Sequence, residues 1–255
     1  MTTDEVVLYS VEGAVARITL NRPEKRNALN DAVIAGLKEN LKKAAADKNV
    51  RVVVIAGAGK DFCSGADLSA LKKIRESSFD ENLEDAKSLA ELFTIIRGVR
   101  VPVIAAVHGR ALAGGCGLAT ACDLVVATKT ARFGYPEVKI GFVPAMVAAI
   151  LRRNLGEKKS FELLTQGFEF SAGEAHALGL VNRVVSDYEL ENAVTEFASV
   201  YTKVSGTAVE MTKRLIYDID GDTFETAVEK GVETNAHARM TDDCQSGIKS
   251  FLTKD

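Results

Sequence analysis

Val101 to Val143 read V-P-V-I-A-A-V-H-G-R-A-L-A-G-G-C-G-L-A-T-A-C-D-L-V-V-A-T-K-T-A-R-F-G-Y-P-E-V-K-I-G-F-V. Two continuous apolar runs, Val101–Val107 and Leu124–Ala127, flank a glycine turn at Ala113-Gly114-Gly115, and one carboxylate, Glu137, follows a proline. Continuous apolar runs are typical of strands buried on both faces, as in parallel sheets. The stretch therefore predicts two buried strands linked through a glycine turn. It also supplies two candidates for chemistry, the turn and the lone acid.

The order of strand, turn and helix recurs through the first 186 residues. Apolar runs begin near residues 14, 52, 101 and 124, and helical spacing follows most of them. Two short runs at the start, Glu5–Val11 and Ala14–Leu20, are separated by a glycine and predict a hairpin. We therefore predict an α/β fold of repeated ββα-like units, with largely parallel sheets and right-handed crossovers.

Two segments depart from that repeat. Residues 75–85 are polar, acidic and aperiodic, and we expect a mobile loop there. After Asp187 the pattern is helical only, and the predicted helices cover residues 190–203, 208–217, 223–239 and 242–252. The sequence therefore predicts a core of residues 1–186 followed by a helical C-terminal segment of residues 187–255.

Composition is that of an ordinary globular protein, and it restricts the classes of function. The chain has 255 residues, 47% of them hydrophobic and 26% charged, with a formal net charge of -3. It therefore lacks the basic surface of nucleic-acid-binding proteins. Its four cysteines show no C-x-x-C spacing, which disfavours a disulfide framework or a structural zinc site.

The first residues contain no basic start followed by an apolar core, as a signal peptide would. Apolar runs stay well below the ~20 residues that a membrane span needs. We therefore expect a cytoplasmic protein without a membrane partner. An organellar transit peptide that preceded this start is the open alternative.

The glycine turn at Ala113-Gly114-Gly115 is suited to bind a negative oxygen. Glycine lets the backbone approach a ligand closely, and a helix that starts near Gly115 directs free N–H groups and the positive end of its dipole at the turn. A second small-residue turn, Ser64-Gly65-Ala66-Asp67, follows the preceding strand unit. Turns after neighbouring parallel strands lie at one sheet edge, so two N–H groups could hold one oxyanion, where loss of a donor typically costs ~2.7–4 kcal/mol.

A tight packing turn without a ligand is the open alternative for the first of these turns. A phosphate site is disfavoured because the sequence matches neither a P-loop nor the dinucleotide fingerprint G-x-G-x-x-G.

Several ordered motifs extend along the chain. They are R-P-E-K-R-N-A-L-N (Arg22–Asn30), F-C-S-G-A-D-L (Phe62–Leu68), P-V-I-A-A-V-H-G-R-A-L-A-G-G-C (Pro102–Cys116), C-D-L-V-V-A (Cys122–Ala127), F-G-Y-P-E-V-K-I-G (Phe133–Gly141) and A-G-E-A-H-A-L-G-L-V-N-R-V-V (Ala172–Val185). Together with the helical tail they resemble the enoyl-CoA hydratase/isomerase, or crotonase, superfamily over essentially the whole chain. The resemblance implies a crotonase-like spiral of repeated ββα units with a helical C-terminal trimerisation segment, assembled as a homotrimer or homohexamer.

The resemblance also implies an acyl-CoA thioester as substrate and no metal or redox cofactor. In this superfamily two backbone N–H groups bind the thioester carbonyl and the enolate formed from it, and these positions match Ala66 and Gly114. The P-E motif matches the catalytic acid/base to Glu137. The implied coenzyme A contacts come from Lys25, Arg26 and Ala28 near the nucleotide, from Ala66, Asp67 and Leu68 along the pocket, from Gly114, and from the tail residues Phe251 and Lys254.

One position departs from the pattern of the family's hydratases. These enzymes resemble one another in having a second glutamate three residues after the oxyanion glycine, and that position here is Gly117. Hydration or dehydration of a 2-enoyl-CoA, with Glu137 as acid/base, is our first hypothesis because the overall resemblance is long and close. The missing carboxylate favours the alternative, a Δ3,Δ2-enoyl-CoA isomerase, in which one base moves a proton between C2 and C4. An inactive CoA-binding paralogue is a further alternative.

Other polar residues are weaker candidates for catalysis. Asp80, Glu81 and Glu84 lie in the polar segment that we expect beside the acyl pocket and could replace the missing acid, although charges in such a loop are usually solvated. CoA thioester hydrolases of the family carry an aspartate where this chain has Pro144-Ala145, which disfavours hydrolysis. His108, at the end of a predicted buried strand, is better explained as a hydrogen-bonded structural histidine than as a base.

Overall fold

The structure is a computed structural model that describes residues 5–253. In this range the strands form two sheets, and they are β1 (Val7–Glu12), β2 (Val15–Leu20), β3 (Val52–Gly57), β4 (Val103–Val107), β5 (Arg110–Leu112), β6 (Leu124–Thr128), β7 (Arg132–Gly134), β8 (Glu169–Ser171) and β9 (Arg183–Val185). The larger sheet has the order β1-β2-β3-β4-β6-β9, and the smaller sheet has the order β5-β7-β8.

The larger sheet follows the sequence prediction. β1 and β2 form the predicted hairpin, antiparallel, with Val7 opposite Leu20. The other neighbouring pairs in this sheet are parallel. All residues of β4, and all of β3 except Gly57, are buried, as continuous apolar runs predict. The predicted α/β fold with largely parallel sheets is therefore confirmed.

Helices account for most of the remaining chain. They are α1 (Asp31–Ala46), α2 (Leu68–Glu76), α3 (Phe79–Gly98), α4 (Gly114–Ala121), α5 (Ala145–Asn154), α6 (Glu157–Gln166), α7 (Ala172–Ala177), α8 (Leu190–Lys203), α9 (Gly206–Asp218), α10 (Phe224–Arg239) and α11 (Asp242–Leu252). Side chains cap several of these helices: the Asn30 side chain accepts the N–H of Val33 at the start of α1, and Ser171 with Glu174 forms a capping box at α7.

Both faces of the larger sheet are covered, which explains why its central strands are apolar throughout. On one face Val53 and Ile55 join a core with residues of α1 and α3. On the other face Val54 and Ile104 pack with Val194 and its neighbours in α8. Each such side chain contributes about 1.5–3 kcal/mol by leaving water, so the sheet is the rigid layer on which the loops at its edge depend.

The prediction of a mobile loop at residues 75–85 is wrong. α2 and α3 occupy this segment, and only Ser77 and Ser78 separate them. Ser78 caps α3 in a capping box, in which its side chain accepts the N–H of Glu81 and its own N–H donates to the Glu81 carboxylate at 2.7 Å. Capping hydrogen bonds and surface ion pairs stabilise the ends of these two helices. They leave no apolar periodicity in the sequence, and that periodicity is the signal that helix prediction uses.

The smaller sheet was not predicted, because its three-residue strands are too short to show a period. β5 and β7 are parallel, with Leu112 opposite Gly134, and β7 is antiparallel to β8. An isolated parallel bridge joins Cys63 to Ala111. These pairings bring the segment after β3, the start of α4 and the segment after β7 to one edge of the fold.

The C-terminal helices differ in how they contact the core. α8 packs on β3, β4 and β6, whereas α10 contacts mainly α9 and α11. Lys213 anchors α9, since its buried Nζ donates to the carbonyls of Ile96 and Val101 and pairs with Asp123 Oδ2 at 2.7 Å. The division into residues 1–186 and 187–255 stays a prediction. Among residues 5–253, none of the helices combines the length and apolar content that a membrane crossing requires.

Candidate functional site

The turn Ser64-Gly65-Ala66-Asp67 holds the Ala66 N–H in one direction. The Gly65 carbonyl accepts the N–H of Leu29 at 2.7 Å, and the Asp67 N–H donates to the Leu29 carbonyl at 2.9 Å. A trans peptide points its C=O and N–H in opposite directions, so the Ala66 N–H points away from Leu29. Ala66 is exposed, and within residues 5–253 its N–H has no hydrogen-bond acceptor.

The Gly114 N–H is directed by the start of α4. Gly114 is the first residue of this helix, so its N–H is one of the donors that a helix leaves without an internal partner. The Ala113 carbonyl accepts the N–H of Gly117 at 2.9 Å and so points along the helix, which turns the N–H of the same peptide out of the N-terminal end. Ala113 has φ +50° and ψ -127°, a conformation that favours glycine and costs about 1–3 kcal/mol in other residues.

The two turns lie against each other. A Cβ built on Gly65 would lie 2.8 Å from the Cβ of Ala113, and one built on Gly114 would lie 3.2 Å from Leu29 Cδ1. The Leu112 N–H also donates to the Cys63 carbonyl at 3.0 Å. The structure therefore brings the Ala66 turn and the Gly114 turn to the same edge, where glycine at position 65 is required by both its φ of +98° and this contact.

Glu137 lies on the neighbouring segment, in a 3-10 helix of Pro136–Ile140 that follows β7. The end of β7 is fixed to the start of α4, since the Ala113 N–H donates to the Gly134 carbonyl at 2.8 Å. Glu137 Oε2 is buried and has no hydrogen-bond partner among the residues described. Burial raises the pKa of the Glu137 carboxyl above its ordinary value. A carboxyl in this state exchanges its proton closer to neutral pH, as acid/base catalysis requires.

Glu137 lies close enough to α4 for its charge to affect the pKa of a side chain in that helix. Burial raises the pKa of the Cys116 thiol to about 12, and the charge of Glu137 contributes to that increase. Burial likewise raises the pKa of the fully buried Tyr135, again with a contribution from Glu137. Cys116 lies in the first turn of α4, the helix that presents the Gly114 N–H. Glu137 and the Gly114 turn therefore lie in one region of the fold.

Gly117 lies in the buried interior of α4, and apolar side chains fill the space beside it. A Cβ built on Gly117 would lie 2.7 Å from Val147 Cγ2 and 3.1 Å from Phe93 Cζ. Phe93 and Val147 are 5% and 3% exposed. A glutamate at position 117 would therefore need both side chains to move. The position where the family's hydratases carry a second glutamate is therefore lined by apolar side chains.

The residues matched to coenzyme A contacts differ in exposure. Lys25 and Arg26 are exposed, and Leu68 is 77% exposed. Arg26 has φ +50°, and its Nε lies 4.0 Å from the buried carboxylate of Asp61. Ala28 is 5% exposed. The first three residues thus have side chains that are accessible to a ligand.

Asp67 is placed differently, because its carboxylate is already engaged within the protein. It caps α2, with Oδ1 accepting the N–H of Ser69 at 2.9 Å. Its Oδ2 pairs with Arg22 Nη2 at 2.6 Å. The hydrogen bond from Ser69 and the guanidinium of Arg22 hold the pKa of this carboxyl below its ordinary value, against the opposing effect of burial.

The remaining candidates lie further from these turns or are bonded elsewhere. Phe251, in α11, is 79% exposed, and Lys254 lies outside the residues that the structure describes. Glu81 is used in its capping box, and Glu84 pairs with Lys87 at 2.6 Å. His108 Nε2 lies 2.9 Å from the Gly59 carbonyl oxygen, as a structural histidine would.

Sequence reasoning missed three residues that shape this site: Phe93, Val147 and Arg22. Phe93 and Val147 mark the apolar faces of predicted helices, and nothing local indicates that both meet Gly117. The available signal is the glycine itself, since glycine inside a buried helix usually marks close packing. Arg22 stands in a quoted motif, but its ion pair joins positions 45 residues apart in the chain, Arg22 and Asp67.

The comparisons with known proteins agree with this geometry. The sequence model of the family described as "Enoyl-CoA hydratase/isomerase" matches residues 10–255. The chain is 42% identical over 243 residues to a "Putative enoyl-CoA hydratase" of Thermus thermophilus, covering 95% of this chain and 96% of that protein. It is 34% identical over 250 residues to the 2,3-dehydroadipyl-CoA hydratase of Escherichia coli, covering 97% and 96%.

The fold agrees as well. A crystal structure of an enoyl-CoA hydratase from Mycobacterium smegmatis superposes with a TM-score of 0.93 at 36% identity, covering 98% of this chain and 96% of that one. The crotonase-like fold that the sequence motifs imply is thereby confirmed. On sequence and on structure alike, the chain belongs to the enoyl-CoA hydratase/isomerase family.

Proposed function

We propose that this chain hydrates a 2-enoyl-CoA thioester, with Glu137 as the acid/base and the N–H groups of Ala66 and Gly114 as the oxyanion donors. The observation that carries the proposal is the buried, unpartnered Oε2 of Glu137 on the segment that is bonded to the start of α4. A desolvated carboxyl at the same edge of the fold as two free N–H groups can move a proton at a carbon next to a carbonyl. The relatives at 42% and 34% identity, which are named as hydratases, support the same chemistry.

One carboxylate is sufficient for the proton balance of hydration. The Glu137 carboxylate takes a proton from water as the water oxygen forms a bond to C3. The electron pair of the double bond moves to the thioester oxygen, where the two N–H groups stabilise the enolate. Glu137 then gives the proton to C2 and the carbonyl re-forms, so that H and OH have added across the bond. In the reverse direction the same steps dehydrate a 3-hydroxyacyl-CoA.

The apolar side chains that pack against Gly117 favour a second candidate, the isomerisation of a 3-enoyl-CoA to a 2-enoyl-CoA. Here Glu137 removes a proton from C2, the same two donors hold the dienolate, and the proton returns to C4. This reaction needs no bound water, and Phe93 and Val147 fill the position from which a second carboxylate would hold one. Both reactions share one oxyanion site and one base, and they differ only in whether water enters.

Binding of the coenzyme and assembly complete the proposal. The accessible side chains of Lys25, Arg26 and Leu68 would contact the nucleotide and pantetheine, and cations at such positions suit phosphate groups. Phe251 and Lys254 would contact the coenzyme bound to a neighbouring subunit of a homotrimer or homohexamer. The exposed apolar side chains of α10, which are Phe224, Val228 and Val232, support such an assembly because monomers rarely expose contiguous apolar faces.

The test uses two substrates with opposite optical changes. Crotonyl-CoA loses its conjugated thioester absorbance when it is hydrated, and a 3-enoyl-CoA gains that absorbance when it is isomerised. If the protein is a hydratase, the absorbance of crotonyl-CoA falls. If the absorbance rises with the 3-enoyl-CoA and crotonyl-CoA is unchanged, the protein is an isomerase. Tight binding of coenzyme A with no change in either assay would identify an inactive paralogue and remove both reactions.

A further inference from the structure

We propose that the Arg22–Asp67 ion pair is a positioning device for the Ala66 N–H, so that Asp67 serves the reaction by fixing the oxyanion donor instead of contacting coenzyme A. The inference rests on the proposed function, because it assigns the pair to that same oxyanion site. The pair is close, with Arg22 Nη2 2.6 Å from Asp67 Oδ2, and its side chains are only 14% and 9% exposed.

The Arg22 guanidinium contacts the two segments that fix the Gly65–Ala66 peptide, whose N–H is the proposed oxyanion donor. One arm, Nη1, donates to the Ala28 carbonyl at 2.9 Å, and the other arm pairs with Asp67. Ala28 directly precedes Leu29, and Asp67 directly follows Ala66. Arg22 therefore connects the Ala28–Leu29 segment, which is hydrogen-bonded to the residues around Ala66, to the segment that contains Ala66.

Leu29 sets the direction of the Ala66 N–H through its two backbone hydrogen bonds, which are to Gly65 and from Asp67. Those bonds form a short parallel bridge between Leu29 and Ala66 that belongs to neither sheet. An isolated bridge has no neighbouring ladder to maintain its register. The Arg22 guanidinium contacts both segments of this bridge, at Ala28 and at Asp67, and so supplies the constraint on register that a neighbouring ladder would give.

Arg22 is itself rigidly held. Its backbone N–H donates to Asn27 Oδ1 at 2.9 Å. Asn27 is fully buried and donates through Nδ2 to the carbonyls of Ala58 and Asp61. The backbone of Arg22 is thus fixed to the end of β3. Through the ion pair, the turn at Ala66 is connected to the rigid sheet.

The chemistry of the pair separates positioning from capping. Asp67 Oδ1 caps α2 through the Ser69 N–H, while Oδ2 faces Arg22. Asparagine is as good an N-cap as aspartate, so Asp67→Asn keeps the cap and removes only the charge that faces Arg22. Arg22→Lys keeps the positive charge and removes the planar fork, which one ammonium cannot replace.

Three measurements test the inference. Amide hydrogen exchange in the ligand-free protein should become about tenfold faster at Leu29 and Asp67 in both variants, since a bond involving a charged group is lost. The variants should lower kcat about tenfold and leave KM within about twofold, because a displaced oxyanion donor weakens the transition state more than the ground state. Butyryl-CoA labelled with ¹³C at its thioester carbonyl should show a carbonyl stretch closer to its solution value when bound.

Arg17→Lys is the matched control. Arg17 forms two close contacts with Glu191, at 2.8 and 2.7 Å, in an exposed pair away from both turns. This variant should leave all three measurements unchanged. Asp67→Asn keeps the test decisive where Arg22→Lys does not fold.

Unchanged amide exchange in Asp67→Asn would overturn the inference. Faster exchange with an unchanged carbonyl stretch and an unchanged kcat would overturn it as well, since the pair would then be structural only. Failure of the wild-type protein to bind any acyl-CoA is a separate result. It removes the proposed function and the pair's role in it, while the exchange data still decide whether the pair fixes the peptide.

Discussion

The two carboxyl groups of the candidate site differ in the groups that face them. On the amide side, the peptides around Ala66 are hydrogen-bonded to Leu29, and Asp67 has both a cap and an ion pair. On the acid side, Glu137 has a buried oxygen with no partner among the described residues, and exposed apolar residues follow it. The pKa shifts are opposite and have different causes: the hydrogen bond from Ser69 and the guanidinium of Arg22 lower the pKa of Asp67, whereas burial raises the pKa of Glu137.

This difference corresponds to a division of labour. Oxyanion donors act by being fixed before the reaction, so the peptides around them have to be held by hydrogen bonds. An acid/base has to exchange its proton during the reaction, and stable partners for its charged form would lower its pKa and its reactivity. A charged, ion-paired carboxylate on one side and a desolvated carboxyl without a cation on the other are therefore what the proposed proton-transfer site requires.

The largest effect is expected on the acid side. Glu137→Gln should lower kcat by about 10²–10⁴, the usual contribution of a general acid or base. The melting temperature should not fall, because a neutral amide replaces a desolvated carboxyl. The assay is turnover of crotonyl-CoA and of a 3-enoyl-CoA, with melting followed by circular dichroism.

Glu24→Gln is the matched control for that change. Glu24 also follows a proline inside a 3-10 helix, Pro23–Lys25, but it is exposed. Its removal should leave turnover unchanged. Equal activity of Glu137→Gln and the wild-type protein would show that the base lies elsewhere.

The next effect is expected on the amide side and concerns stability. Asn27→Ala removes three hydrogen bonds of a fully buried amide and leaves buried backbone groups without partners. We expect the free energy of unfolding to fall by about 2–4 kcal/mol. Urea unfolding measures it, and Asn49→Ala, at an exposed turn, should change it by less than about 0.5 kcal/mol. If Asn27→Ala lowered the free energy of unfolding by less than about 0.5 kcal/mol, the hydrogen bonds on the amide side would not stabilise it as described.

A smaller effect concerns the apolar side chains that pack against Gly117. Gly117→Ala places a Cβ 2.7 Å from Val147 Cγ2, so we expect a loss of about 1–3 kcal/mol from overpacking. Gly231→Ala in α10, where a Cβ meets nothing within 4 Å, should instead raise stability by up to about 1 kcal/mol through helix propensity.

A double-mutant cycle sharpens the same point. Val147→Ala makes room for the new methyl group, so Gly117→Ala should cost less in that background, with a favourable coupling of about 0.5–3 kcal/mol. Urea unfolding of the four proteins gives the coupling directly. Additive losses would mean that Val147 is not what keeps a side chain out of position 117.

The limits of sequence prediction follow the same division. The two turns were predictable because glycines and small residues after apolar strands are local signals, and parallel strands bring such turns to one edge. Glu137 stood out as a lone acid, but its role was assigned through the family motif, because an acid after proline carries no local sign of burial. The contact of Gly117 with Phe93 and Val147 joins three helices, and the helix at residues 79–98 starts from a capping box in polar sequence. Both depend on tertiary contacts that periodicity does not encode.

The smallest expected effect is the pH dependence of stability, which has opposite signs on the two sides. The folded state raises the pKa of Glu137, so it holds a proton that the unfolded chain has released, and Glu137 lowers stability as pH rises through that interval. The folded state lowers the pKa of Asp67, so the stability that Asp67 contributes is lost as pH falls through its interval. Urea unfolding between pH 3 and pH 8 should therefore show Glu137→Gln gaining on the wild type as pH rises, and Asp67→Asn losing ground over the same range. Parallel curves for the two variants would mean that their carboxyls are in equivalent environments, and the contrast between the two sides would then have no electrostatic basis.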